Sequence, residues 1–296
     1  MLSMRRIEHS FRALQKKVLA QSEINAFIAR NVESWEIEDE HSSKDRKVIS
    51  TQTYSPSGIL SALVKNTPLQ LITLPFPYRT VVRFTWGQAP TYRVLQSVDS
   101  DGYFTHYTAM QIHGLTDQIP KTVYFNVEQP ATGGGGQLSQ EGINRAFRGR
   151  CRVSNNVIKF RDLTVCKLNG QNTNQLGVIR MTIDDSDVQI TNLERTLIDA
   201  TVRPVYSGGV GEVAQAFKNA APKLSVNKLV SYLRKLNYTY PYHQAIGFYL
   251  SLAGIYKKSQ IDQLRKFPID FDFYLNYQLK NPDHNKEWRL FIPKGF

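Results

Sequence analysis

The order of local patterns in the first 95 residues constrains the fold more than any other feature of this chain. Apolar residues at three-and-four spacing predict an amphipathic helix over residues 7–19 and a second helix over residues 22–31. Ser55 as N-cap and Pro56 at the first helical position predict a third helix. Two β-rich runs then flank the turn at residues 75–79, which predicts a hairpin.

Three helices followed by a hairpin are typical of a winged helix-turn-helix domain, in which the last helix enters the major groove and the hairpin contacts phosphate. The polar connection at residues 36–54 is long for such a unit. For any single side chain a solvated surface position is the alternative. The candidate DNA-binding residues are Lys44, Arg46, Lys47, Ser55, Ser57, Ser61, Lys65, Arg79 and Arg83.

Net charge favours a phosphate-rich partner. The 296 residues carry 37 basic and 25 acidic side chains, a formal charge of +12. Residues 1–95 hold 13 basic and 8 acidic side chains, residues 96–190 hold 9 of each, and residues 191–296 hold 15 and 8. Both ends of the chain are therefore candidates for nucleic-acid contact, whereas solubility alone is the plainer explanation.

Cysteine usage and hydropathy indicate the compartment. Cys151 and Cys166 have no histidine near them at metal-ligand spacing, so we expect free thiols, no metal site and no cofactor. The N-terminus lacks the apolar core of a signal peptide, and no run approaches the roughly 20 apolar residues of a membrane span. We expect a cytoplasmic protein that does not bind membranes.

Residues 192–209, NLERTLIDATVRPVYSGG, have an unusual sequence that contains almost none of the residues of common catalytic motifs. Thr191 with Glu194 matches a capping box and predicts a helix start. Arg195 and Asp199 lie one turn apart on that helix, and Pro204 ends it. A packed, capped helix without further function is the alternative.

The remainder of the second half predicts a mixed α+β domain. Residues 104–115 look helical, and their two histidines, His106 and His113, are more often structural than catalytic. Asn169-Gly170 predicts a tight turn, and residues 133–136 a flexible glycine loop. Further helices are predicted at residues 211–221, 225–236, 242–253 and 260–267, and closing strands at 273–279 and 288–292 join the sheet. The tyrosine cluster at 238–242 could stack bases, with packing between helices as the alternative.

Two long segments carry a family resemblance: residues 192–209 above and residues 103–126, YFTHYTAMQIHGLTDQIPKTVYFN. Together they resemble the AbiEi-type antitoxin family of bacterial toxin-antitoxin and phage-defence systems. The resemblance extends through residues 227–250, 272–279 and 287–295, and it covers most of residues 103–296. It implies an α+β protein with a winged helix-turn-helix domain at 1–95 and a larger α+β antitoxin domain at 96–296.

The resemblance also implies a function. Such proteins repress their own operon by binding double-stranded promoter DNA, and they counteract a nucleotidyltransferase toxin without a stable complex with it. We expect a monomer in solution or a dimer on DNA, and no catalytic residues. The residues assigned to antitoxin activity are Arg195, Asp199, Arg203 and Tyr206, for which a buried ion-pair and packing cluster is the alternative.

An enzyme is the second hypothesis, specifically a metal-dependent nuclease with a winged-helix targeting domain. Such a nuclease gathers two acidic groups and a lysine around a metal. Beyond Asp199 the chain offers only scattered acids and no acid-x-lysine triplet, and cleavage lost on changing Asp270 or Asp272 would support it. The acids are Glu212, Asp262, Asp270, Asp272, Asp283 and Glu287.

Overall fold

The computed structural model describes residues 1–36, 48–49, 55–130 and 137–296, and within them the strands form four sheets. The chain divides into two compact units. The first comprises Met1–Ser100 with Thr182–Val188, and the second comprises Asp101–Met181 with Gln189–Phe296. The fold is mixed α+β. No helix among the described residues is long and apolar enough to cross a membrane.

The first unit combines helices with an antiparallel three-stranded sheet. Its helices are α1 (Met4–Ala13), α2 (Gln21–Trp35), α3 (Pro56–Asn66) and α4 (Thr91–Gln96). Its strands are β1 (Leu2–Ser3), β2 (Val18–Ala20), β3 (Val48–Ile49), β4 (Leu69–Phe76) and β5 (Arg79–Trp86). The sheet has the order β2-β5-β4, and β1 pairs with β3.

The helix predicted over residues 7–19 is wrong at its C-terminal end. α1 stops at Ala13, and Val18 and Leu19 belong to β2, where Leu19 pairs with Phe84 of β5. Val18 fits the helical spacing because it is apolar, but its burial comes from strand pairing. A single sequence cannot distinguish these two ways of burying one side chain.

Capping determines where the other two helices begin. α2 spans Gln21–Trp35 and starts one residue before the predicted 22, where the Glu23 carboxylate accepts the backbone N–H of Ala20 at 2.8 Å. The start of α3 is confirmed: Ser55 Oγ accepts the N–H of Gly58 at 3.2 Å, and Pro56 is the first helical residue.

Four aromatic rings pack together within the core of the first unit. The Phe11 ring lies 4.7 Å from Phe27, 6.1 Å from Trp35 and 4.5 Å from Trp86, measured between centroids. Trp35 is fully buried, and its indole N–H donates to Ser10 Oγ at 2.9 Å. This packing joins α1, α2 and β5 and fixes the position against which α3 packs.

A six-stranded sheet has the order β10-β11-β6-β7-β9-β8, and the second unit contains all of it except the Thr182–Val188 part of β10 and β11. The strands are β6 (Tyr103–Phe104), β7 (Thr122–Gln129), β8 (Val157–Phe160), β9 (Leu163–Gln171), β10 (Val178–Ile183) and β11 (Ser186–Thr191). The helices are α5 (His106–Ile112), α6 (Gln140–Arg148), α7 (Leu193–Val202), α8 (Val210–Ala220), α9 (Val226–Leu236), α10 (Tyr242–Ala253) and α11 (Lys258–Ile261). A separate three-stranded sheet contains β12 (Phe273–Tyr274), β13 (Asp283–Asn285) and β14 (Leu290–Ile292).

The turn predicted at Asn169-Gly170 is wrong. Both residues lie inside β9, where Asn169 pairs with Val127 and Gly170 with Glu128 of β7. A Cβ on Gly170 would come within 2.7 Å of the Asn126 side chain, so the glycine provides close approach rather than a turn. The glycine loop predicted at 133–136 lies outside the described residues.

Three further predictions for the second unit need correction. The predicted helix 104–115 is shorter: Phe104 is in β6, and α5 spans His106–Ile112 before Gly114 at φ +68°. The predicted helix 260–267 is instead the four-residue α11 and a 3-10 turn at Leu264–Lys266. The two closing strands do not join the large sheet, because β12 and β14 pair with each other.

α7 does not use the predicted capping box. Its N-cap is Asn192, whose side chain accepts the N–H of Arg195 at 3.0 Å. Thr191 instead bonds to Thr196, with 2.8 Å between their hydroxyl oxygens. The Glu194 carboxylate accepts the N–H of Ser225 at 3.2 Å and so connects α7 to the start of α9.

α10 packs closely against α8 and against the Trp288 side chain. The Phe217 ring of α8 stacks on Tyr249 of α10 at 5.2 Å. On another face of α10, a Cβ at Gly247 would come within 2.3 Å of the fully buried Trp288 ring. Glycine at this position therefore lets the indole lie directly against the helix backbone.

Candidate functional site

α3 presents a polar stripe to solvent. Ser57, Ser61 and Lys65 are spaced four residues apart, so they lie along one face of the helix, and all three are exposed. The opposite face is buried through Ile59 and Leu63, which are 2% and 0% exposed. The three candidate DNA-binding residues of this helix are thus on its exposed face.

The hairpin of β4 and β5 gives its two arginines different environments. Arg79 follows the two-residue turn Pro77–Tyr78 and is exposed. Arg83 lies in mid-strand, where its Nε donates to the carbonyl of Ser97 at 3.0 Å and its Nη2 to that of Val98 at 3.3 Å. Burial lowers the pKa of Arg83. Arg83 therefore connects the C-terminal end of α4 to the hairpin through hydrogen bonds. The sequence predicted instead that this side chain contacts phosphate.

The other predicted DNA contacts divide into two groups. Ser55 is exposed, but its hydroxyl is used as the N-cap of α3. Lys44, Arg46 and Lys47 lie outside the described residues. The described part of the candidate surface is therefore the α3 stripe together with Arg79.

Arg195 and Asp199 form a buried ion pair on α7. Arg195 Nε lies 2.7 Å from Asp199 Oδ1, and the side chains are 5% and 8% exposed. Burial disfavours the charge of Arg195, but Asp199 outweighs it and the pKa of Arg195 is raised. Thr105 Oγ1 donates to the second Asp199 oxygen at 2.9 Å.

The remaining donors of Arg195 are also occupied. Its Nη1 donates to Thr173 Oγ1 at 3.0 Å and to the carbonyl of Leu176 at 2.7 Å, and its Nη2 contacts the Tyr103 hydroxyl at 3.5 Å. The Glu128 carboxylate accepts from the Tyr103 hydroxyl at 3.0 Å and from the Thr173 hydroxyl. The network joins residues far apart in the chain, and its groups satisfy one another inside the unit.

Arg203 and Tyr206 lie closer to the surface. Arg203 Nη1 donates to the Tyr277 hydroxyl at 2.8 Å, and Tyr206 accepts the N–H of Ser154 at 2.7 Å. Both residues are half-buried. Of the four residues predicted for antitoxin activity, this pair is the one whose side chains reach solvent.

The two histidines of α5 and its C-cap differ in environment. His113 Nε2 lies 2.7 Å from the carbonyl of Thr191, a structural contact. His106 is buried at φ +52°, its Nδ1 has no hydrogen-bond partner among the described residues, and its ring lies edge-on to Tyr206 at 5.4 Å. Burial lowers the pKa of His106 to about 4, so the ring is neutral near pH 7.

Four of the six acids considered for a nuclease, Glu212, Asp262, Asp272 and Glu287, contact neighbouring side chains. Asp272 pairs with Arg289 and His284 at 3.1 and 3.0 Å. Glu212 accepts from the Thr116 hydroxyl at 2.9 Å, and Arg265 pairs with both Asp262 and Glu287. The described ranges contain no group of three or more histidine, cysteine, aspartate or glutamate side chains that could hold a metal ion.

The tyrosine cluster at 238–242 lines a cavity of about 350 Å³ in the second unit. Tyr238 and Tyr242 pack edge to face at 5.4 Å, and Tyr240 lies 6.2 Å from Tyr242. The cluster thus packs internally, as the packing alternative predicts, and it also lines an open space; base stacking stays a prediction.

No protein-family model and no curated protein sequence matches the chain. The structure is similar to the crystal structure of the RV2827C protein from Mycobacterium tuberculosis, with a TM-score of 0.60. The two chains are 11% identical, and the match covers 99% of this chain and 95% of that one. The likeness is therefore one of fold, a mixed α+β fold with several sheets, along the full length.

Proposed function

We propose that the first unit is a winged helix-turn-helix domain that binds double-stranded promoter DNA and represses the operon of this chain. The observation that carries the proposal is the order α1-β2-α2-β3-α3-β4-β5, with β2 pairing antiparallel to β5 beside the β4-β5 hairpin. A short strand between the first two helices and a hairpin after the third are the elements of a winged helix.

In this assignment α3 is the recognition helix. Its exposed stripe contains two hydroxyls, Ser57 and Ser61, which can bond to base edges or phosphate, and Lys65, which can only donate. Arg79 at the hairpin tip supplies a charge for the backbone of the adjacent groove. The formal charge of +12 contributes attraction at long range.

Salt dependence tests this half of the proposal. Contacts to phosphate release counterions, so the affinity for DNA from immediately upstream of the gene should fall linearly with salt on logarithmic axes. A mobility-shift titration of the whole chain at several salt concentrations, with unrelated DNA as competitor, measures the slope and the selectivity. Equal binding to both DNAs would contradict the proposed repressor function. Absence of binding to either DNA would contradict the assignment of the first unit as a DNA-binding domain.

We propose further that the second unit counteracts a nucleotidyltransferase toxin, without a stable complex and without catalysis of its own. The support is the resemblance of residues 103–126 and 192–209 to AbiEi-type antitoxin sequences, together with the position of both segments in one compact unit. In this unit the half-buried Arg203 and Tyr206 are the candidates for an outward role, while Arg195 and Asp199 hold the unit together.

Toxin rescue tests the second half. Tyr206→Phe removes one hydroxyl together with its hydrogen bond from Ser154, and Arg203→Gln removes the charge beside Tyr277. If either variant fails to protect cells from the toxin while its thermal unfolding matches the wild type, the residue acts outside its own fold. Full protection by both variants would place antitoxin activity elsewhere on the unit.

A further inference from the structure

Two hollows lie side by side on the second unit and share one residue, Arg234. The first is the cavity of about 350 Å³ at the C-terminal end of α9 and the start of α10, within the size range of small-molecule sites. Six of its 14 lining residues are aromatic: Tyr238, Tyr240, Tyr242, His243, Phe267 and Phe271. The second hollow, of about 600 Å³, adjoins it along α9.

Hydrogen bonds hold the aromatic walls in place. Gln244 is fully buried, and its amide donates to the carbonyls of Phe271 and Trp288 at 3.0 and 2.7 Å. His243 Nε2 lies 2.9 Å from the carbonyl of Pro268. The segment opposite α10 is therefore fixed at both of these points, which holds this wall of the cavity in one arrangement.

Two aromatic rings and the Arg234 guanidinium lie in contact at the boundary between the two hollows. The Phe267 ring stacks on His243 at 5.0 Å with 17° between the planes. The Arg234 guanidinium lies over the same Phe267 ring at 5.5 Å. Phe267 is thus in contact with both neighbours, and a base entering the cavity can contact the outer members of this group, the His243 ring and the Arg234 guanidinium.

The second hollow is basic. Arg234, Lys235 and Lys266 line it, all three are exposed, and none forms an ion pair with an acidic residue in the described part of the chain. The other lining residues are neutral and include the hydroxyls of Ser231 and Ser259. Three cations and two hydroxyl donors around one depression suit a phosphate group.

We propose that the two hollows form one nucleotide-binding site, with the base in the aromatic cavity and the phosphate on Arg234, Lys235 and Lys266. Asp270, the acid that lines the aromatic cavity, provides an acceptor for an amino or hydroxyl group of the ligand. The nucleotide is either free or the end of a single strand, since both present the same base and phosphate. The site lies within the second unit and does not rest on the repressor function.

Isothermal titration of the full chain with adenosine, AMP, ATP and a six-nucleotide RNA tests the proposal. AMP and ATP should bind at least about tenfold more tightly than adenosine, because only they reach the cations. Binding of the RNA alone places a strand end in the site, and binding of AMP places a free nucleotide there. Absence of binding by all four probes at about 1 mM overturns the proposal.

Variants locate the binding. Arg234→Gln should weaken AMP about tenfold or more, and Thr239→Trp, at an exposed residue of the cavity wall, should block the base without changing charge. Lys218→Gln on α8 is exposed, lines neither hollow and removes the same charge, so it should bind like the wild type. If Arg234→Gln and Thr239→Trp both bind AMP normally, the ligand sits elsewhere and the assignment fails. Arg79→Ala should leave AMP binding unchanged, which separates this site from the DNA surface.

Discussion

Asp199 connects α7 to the segment before α5 through Thr105, whose hydroxyl lies 2.9 Å from the carboxylate oxygen that does not face Arg195. Both carboxylate oxygens are therefore occupied within the unit, and the side chain is 8% exposed. The segment that most suggests a special function is thus, at these two positions, part of the interior.

Removing one partner of the buried pair should destabilise the second unit. We expect Asp199→Ala to lower the free energy of unfolding by about 3–5 kcal/mol, because Arg195 keeps a buried charge without its counterion. The double variant Arg195→Met, Asp199→Leu should lose less than the two single changes together. Denaturant unfolding measures all of these. Wild-type stability in Asp199→Ala, combined with lost toxin protection, would show instead that the pair acts on a partner.

Arg79 and Arg83, four residues apart on one strand, should respond differently to truncation. Arg83→Ala should cost about 1.5–3 kcal/mol of stability, because charged hydrogen bonds to the carbonyls of Ser97 and Val98 are lost. Arg79→Ala should stay within about 0.5 kcal/mol of the wild type and reduce the salt slope of DNA binding by about one.

Arg145→Ala is the matched control for Arg79→Ala, because Arg145 is an exposed arginine on α6 of the second unit. It should bind promoter DNA like the wild type. A normal salt slope for Arg79→Ala, or an equal loss for Arg145→Ala, would show that the hairpin tip does not meet phosphate.

His106 should make stability depend on pH. Burial lowers its pKa to about 4 from an ordinary 6.5, and the charges of Arg195 and Arg203 act in the same direction while Asp199 opposes them. Between those values the unfolded chain binds more protons than the folded one, so stability falls as pH drops from about 6.5 to 4. The loss attributable to this group is about 3 kcal/mol.

The His106→Asn variant isolates that contribution, since asparagine tolerates the φ of +52° better than most residues. Its unfolding free energy should change less between pH 6.5 and 4 than that of the wild type. His113 and His243 also have lowered pKa values caused by burial, and both remain in the variant. Identical pH profiles for the two proteins would exclude a buried neutral His106.

Two helical glycines provide a matched test of packing. Gly247→Ala should destabilise the second unit by about 1–3 kcal/mol, because the new Cβ meets the Trp288 ring. Gly211→Ala on α8 meets no atom within 4 Å and should be neutral or stabilising by up to about 1 kcal/mol. Thermal unfolding compares the two, and equal melting temperatures would contradict the close contact at Gly247.

Features fixed by neighbouring residues could be predicted from the sequence. Ser55 and Pro56 start α3 where expected, because a cap and a proline act within one turn. The ion pair between Arg195 and Asp199 likewise follows from their spacing on one helix. Gly170 shows where prediction from neighbouring residues fails. The local sequence favours a turn, but the glycine is needed because the Asn126 side chain on the neighbouring strand β7 leaves no room for a Cβ.

The other parts of the candidate sites depend on contacts between residues that are far apart in the sequence. Thr105 reaches Asp199 from another element, and Tyr277 reaches Arg203 from near the end of the chain. Neither residue carries a local pattern that marks it. The role of Arg83 was missed for a related reason. Arg79 at the hairpin tip is exposed and Arg83 in mid-strand is half-buried, and only the folded structure distinguishes these two positions.

The measurement that tests the central claim most directly is promoter binding by a variant of α3. Ser61→Glu places a negative charge in the middle of the exposed stripe, and Gln215→Glu places the same change in charge on an exposed position of α8. In a mobility shift at fixed salt, the account predicts that Ser61→Glu loses selective binding while Gln215→Glu retains it. Equal affinity of both variants for the promoter, with wild-type melting temperatures, would contradict the assignment of α3 as the recognition helix.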